Sequence, residues 1–72
     1  MNSERVVASA RKKIDQVRDA NDVRDLVYRH GVASGWIAAL RLEKLIDAEV
    51  FQVLTAEVAE VVDEVSKTLP GE

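Results

Sequence analysis

Cysteine is absent from the 72 residues, histidine occurs once, and the only proline stands at position 70. Without thiols there are no disulfides and no thiolate-held metal, and one imidazole cannot build a multi-histidine site within a chain. Glycine occurs three times, at 31, 35 and 71, so only one interior stretch, 31–35, carries the residue that most readily lets a helix end. Aromatic residues are limited to Tyr28, Trp36 and Phe51. No apolar run approaches the roughly 18 residues that a membrane span requires. Met1-Asn2-Ser3-Glu4-Arg5 leads directly into a charged amphipathic stretch and has no targeting character. Phosphate-binding glycine loops, nucleophile elbows and metal-ligand spacings are all missing. The reading from these absences is a cytoplasmic, non-enzymatic chain with no cofactor, metal, membrane or small-molecule substrate.

What is present has helical periodicity. Val6, Ala10, Ile14 and Val17 recur at helical spacing, with Arg11, Lys12, Asp15, Gln16, Arg18 and Asp19 on the other side. Ser3 is a good N-cap and Glu4 suits a first turn, so a helix is predicted over 3–19. Asn21 and Asp22 are capping residues, and a second helix is predicted over 22–30, burying Val23, Leu26 and Val27 and closed by Gly31 in a left-handed conformation. Ser34 then opens the longest pattern, 35–69, which either continues or restarts at Asp47, itself a capping residue. Leu54, Val58, Val61 and Val65 hold a clean seam there, while between Leu40 and Leu54 the apolar surface is wider than one stripe. Valine fills 12 positions, six of them from Val50 onward, and its stiff side chain makes this helix depend on packing. The expected fold is therefore all-α and dimeric: one domain over 1–72, a small bundle of two short N-terminal helices and one long C-terminal helix, either straight or bent at Asp47.

Size and charge then bear on partners. So short a chain is marginal as a lone monomer, and with disulfides and metals excluded, oligomerisation is the remaining staple. Residues 1–30 carry seven basic side chains against five acids, whereas 31–72 carry three against eight, within a net charge of −3. A weakly acidic whole argues against unspecific coating of nucleic acid, whose affinity comes from phosphate neutralisation. The asymmetry instead favours pairing of the two halves, within or between chains. The acidic series Glu57, Glu60, Asp63 and Glu64 beside the Val58–Val61–Val65 seam would select a basic partner helix, or meet the basic flank of the first helix, as flanking charges do in coiled coils. The basic cluster Arg11, Lys12, Lys13 and Arg18 is diluted by Asp15 and Asp19 and reads mainly as a solvated face. His30 has no motif relation to any nucleophile and is expected at a helix end, where the dipole favours its charged form.

Residues 23–42, VRDLVYRHGVASGWIAALRL, resemble a helix-turn-helix: Leu26 in the first helix, Gly31 at the turn, Val32, then Ser34 opening a second helix with Ile37 and Leu40 buried. That resemblance implies a dimeric DNA-binding transcriptional regulator, contacting DNA through Arg11, Lys12, Ser34, Trp36 and Arg41. Most of the outward positions of such a recognition helix are alanine or glycine, and Val27 occupies the place of the motif's small residue. The favoured expectation is accordingly a small regulatory or adaptor protein, such as a modulator of a transcription factor, of the kind found among bacterial or phage accessory proteins. It would act as a homodimer through protein–protein contacts at Trp36, Leu40, Phe51, Leu54, Val58, Val61 and Val65, with Glu57 and Glu60 setting specificity.

Overall fold

Ser3 starts the first helix as its chemistry predicts, its Oγ accepting the Val6 N–H at 3.2 Å. A computed structural model describes residues 2–70: helix α1 over Glu4–Gln16, a single 3-10 turn over Val17–Asp19, helix α2 over Val23–Leu42 and helix α3 over Ala48–Ser66. No strand occurs among the described residues, and the all-α expectation holds.

Helix boundaries follow local hydrogen bonding. Asp22 caps α2 by accepting the Asp25 N–H at 2.7 Å, and the Asp25 carboxylate reaches back to the Asn21 N–H at 3.0 Å. The two carboxylates thus satisfy two N–H groups at the start of α2, in the manner of a capping box displaced by one residue. Asp47 caps α3 by accepting the Val50 N–H at 2.9 Å. Between these ends, α2 closes in a six-residue hydrogen-bonded turn: Leu45 N–H donates to Leu40 O at 2.9 Å and Lys44 N–H to Arg41 O at 3.0 Å. This is a Schellman motif, and its left-handed position is filled by Lys44 (φ 61°) where glycine is the usual occupant.

The chain reversal therefore lies at 43–47 and not at 31–35. Neither Gly31 nor Gly35 has a positive φ, and both sit inside α2. The expected helix over 22–30 and the turn after it are replaced by a 20-residue α2, and of the two alternatives for 35–69 the structure shows the restart at Asp47, which caps a separate α3. A glycine within a helix costs about 1 kcal/mol relative to alanine, but a turn at 31–35 would strand Leu26 from Ala33 and Ile37. These three share one buried face only when the helix is continuous. Packing overrides the local signal.

The direction of the helices follows from side-chain contacts. Arg29 of α2 touches the Gln16 carbonyl, while Trp36, further along α2, reaches back to Ser9, so α2 runs antiparallel to α1. Arg11 meets Glu57 and Arg18 meets Glu64, so α1 and α3 run parallel, side by side. The core between them is Ala10, Ile14 and Val17 from the first segment, Leu26, Ala33 and Ile37 from α2, Ile46 from the link, and Leu54, Val58, Val61 and Val65 from α3. Phenylalanine and tryptophan contribute nothing fully buried, so the core is thin. The body is long, 41 × 17 × 15 Å. Its radius of gyration of 12.4 Å exceeds the roughly 11 Å of an equally long compact domain.

Candidate functional site

The seam expected to receive a second copy is occupied by the chain itself. Leu54 is fully buried, and Val58, Val61 and Val65 are nearly so, against α1 and α2. Phe51 and Leu40 are half-buried at the margin of the same core. In this fold these six positions hold the bundle together and present no free apolar strip. Their periodicity was readable in the sequence, but periodicity alone does not say whether the covering helix comes from the same chain.

The acidic flank of α3 has likewise found its basic partner within the chain. Arg11 forks onto Glu57, Nε to Oε1 at 3.1 Å and Nη2 to Oε2 at 2.7 Å. These hydrogen bonds, with the attraction of the carboxylate behind them, hold the Arg11 guanidinium above its ordinary pKa. Arg18 pairs with Glu64 and more loosely with Asp15 at 3.6 Å. Under these bridges, Ile14 and Val61 floor an open groove between α1 and α3, with Glu60 on its rim. The bridging side chains are substantially exposed, so each pair stabilises by less than about 1 kcal/mol. Of the two predicted specificity residues, Glu57 is thus engaged and Glu60 faces solvent.

Trp36 is neither buried in the core nor free. Its indole N–H donates to Ser9 Oγ at 3.3 Å, and the Lys13 ammonium stands 4.8 Å from the ring centroid. The ring lies as a strap across α1, held by a cation–π contact and one polar tether. Beside it, Arg29 donates from Nε to Asp25 at 3.1 Å and from Nη1 to the Gln16 carbonyl at 3.1 Å, closing the carbonyl end of α1. The Asp25 carboxyl is held below its ordinary value by the Asn21 N–H first and by Arg29 second.

The residues singled out for DNA contact do not act together. Residues 23–42 form one uninterrupted helix, so the two-helix geometry of a helix-turn-helix is not formed there. Arg11 is committed to Glu57 and Trp36 to α1, while Lys12, Ser34 and Arg41 are exposed. His30, expected at a helix end, stands in the middle of α2, away from any terminal dipole. Among the described residues, no group of His, Cys, Asp and Glu is placed to hold a metal ion, and no helix is long and apolar enough to cross a membrane.

One surface remains uncovered. Helix α2 has no single apolar stripe: Arg24, Asp25, Arg29, His30 and Arg41 are scattered around it among apolar residues. Its inner face carries Leu26, Ala33 and Ile37, while its outer face carries Val27, Gly31, Ser34, Gly35, Ala38 and Leu42, flanked by Tyr28 and Ala39 and with Arg24 at its amino end. Val27 is 65% exposed, Tyr28 70% and Leu42 79%. An ideal Cβ built at Gly31 or Gly35 meets nothing within 4 Å, so no contact inside the chain requires glycine at either position. The expected burial of Val27 is not observed: in a helix that continues past residue 30 it falls on the outer side. The signal that would have found this face is the helical spacing of Val27, Gly31, Ala38 and Leu42, visible once the glycines are read as helical.

Compared with family models, curated proteins and solved structures, the chain finds no match.

Proposed function

We propose that the chain is a small protein-binding module of regulatory or adaptor type, acting in the cytoplasm, and that it docks through the outer face of α2. The observation carrying this reading is that α2 leaves large apolar side chains uncovered on the side turned away from α1 and α3. An apolar helix surface is ordinarily covered, and α1 and α3 cover only one side of α2. Large exposed side chains at Val27, Tyr28 and Leu42 supply contact area, and an aromatic such as Tyr28 is a common anchor of protein interfaces. Binding would act by occlusion, one helix surface covering another that its owner needs elsewhere.

The test compares the wild-type chain with Leu42→Glu, a substitution at a position too exposed to disturb the core. Each is immobilised and exposed to a lysate of the source cells and, separately, to the same chain in soluble form. The expected result is a protein, foreign or a second copy, retained by the wild type and released by the variant. Retention of nothing, or equal retention by both, overturns the assignment of this face.

A further inference from the structure

The outer face of α2 is patterned about its own midpoint. Between Ser34 and Gly35 lies a centre from which Gly31 and Ala38 are equally distant, as are Val27 and Leu42. Along that face the side chains therefore run large, small, small, small, small, large. A surface that reads the same in both directions is self-complementary under a twofold axis, the symmetry of most homodimers. We propose that α2 pairs antiparallel with α2 of a second copy, across a twofold axis between Ser34 and Gly35, so that Val27 of each copy packs against Leu42 of the other. The proposal rests on the assignment of α2 as the docking face and names its occupant.

Charge independently favours this occupant and this direction. Arg24 is exposed in the first turn of α2, where the positive end of the helix dipole disfavours a cation. Glu43 is exposed at the carbonyl end of the same helix, where the negative end disfavours an anion. Neither belongs to any ion pair among the described residues. Each is misplaced on its own helix, and antiparallel pairing eases both: Arg24 of one copy comes to the carbonyl end of the other, opposite Leu45 and two residues along from Glu43. Asp25 and Lys44, equidistant from the same centre, also come to the same ends. Parallel pairing would instead set Arg24 against Arg24 and Arg41 against Arg41.

The glycines acquire a purpose in this arrangement. Gly31 and Gly35 have empty space above them in the single chain, and helices whose facing residues are small approach most closely. Close approach matters because the contact is short: 20 residues of helix measure about 30 Å by 10 Å. That is about 300 Å² a side, below the standard size of stable interfaces and in the range of weak, transient ones, so association is expected only at about micromolar concentrations or above.

The absence of cysteine makes the geometry directly readable. In sedimentation velocity the wild type is expected to pass from monomer to dimer as concentration rises through the micromolar range. Gly31→Ala/Gly35→Ala, which no contact in the monomer opposes, should be at least as helical and heat-resistant when dilute yet dimerise about tenfold or more weakly. Under mild oxidation Ser34→Cys should cross-link to itself. Val27→Cys and Leu42→Cys should cross-link to each other in a mixture, and neither efficiently alone. A wild type that stays monomeric to about 200 μM overturns the pairing, and so does efficient self-linking of Val27→Cys, the mark of parallel helices. A monomeric chain that still retains a foreign protein through Leu42 would sink the self-pairing alone; a monomeric chain that retains nothing sinks the docking face as well.

Discussion

Two residues outside the core carry much of the link between α2 and α3. Lys44 adopts a left-handed conformation that glycine enters without steric cost. Lys44→Gly should accordingly raise the thermal midpoint by a few degrees, corresponding to about 0.5–1 kcal/mol after the extra freedom of glycine in the unfolded chain is deducted. Asp47 is the second. Its carboxylate accepts the Val50 N–H and, at 2.7 Å, the Asn2 side-chain amide, while the Asp47 N–H returns to the Asn2 side-chain oxygen at 2.9 Å. The Val50 N–H first, and Asn2 second, hold the Asp47 carboxyl below its ordinary value, as neighbours also do for Asp25. A carboxylate lowered on folding stabilises the fold above its unfolded pKa and loses that contribution as pH falls through the folded value. Thermal midpoints should therefore stay level from neutral pH downward and decline below about pH 4. Asp47→Asn, which keeps the capping oxygen but cannot titrate, should flatten part of that decline. An identical acid-side slope in both proteins would show that Asp47 does not contribute.

At the scale of the helix, capping chemistry and periodicity were legible and glycine was misleading. Ser3, Asp22 and Asp47 stand at the N-caps of the three helices, and Ser3 and the possible restart at Asp47 could be read without coordinates. The stripe Val6–Ala10–Ile14–Val17 and the seam Leu54–Val58–Val61–Val65 both face the core as their spacing required. Gly31, Val32 and Ser34 looked like a turn because local propensity carries no knowledge of Leu26 and Ile37, whose burial on one face depends on the helix continuing between them. Burial of Val27 and the seam's role as an interface were misread for one common reason. A sequence shows which positions are apolar, but the neighbour that covers each of them is a property of the folded assembly.

For the molecule as a whole, the buried set is small in number and in volume: its largest fully enclosed side chains are Ile37, Ile46 and Leu54. The folded chain exposes 5004 Å², somewhat more than the roughly 4,450 Å² of a compact 8.0 kDa monomer. So thin a core leaves little margin for loss. Leu54→Ala should cost about 2–5 kcal/mol, comparable to the total stability of a single domain this short. Circular dichroism at 25 °C is expected to show a largely unfolded variant under dilute conditions, and a cooperative melt close to that of the wild type would contradict the central place given to Leu54.

The two bridges between α1 and α3 also fix which slide of one helix along the other is allowed. Arg11 and Arg18 are seven residues apart, as are Glu57 and Glu64, so both pairs close at a single offset. Moving α1 one turn toward the carboxyl end of α3 would give Arg11 a new acid in Glu60 but would drive Arg18 onto Lys67. Individually weak, the pairs work like the marks of a vernier, and their value lies in the wrong alignments they penalise.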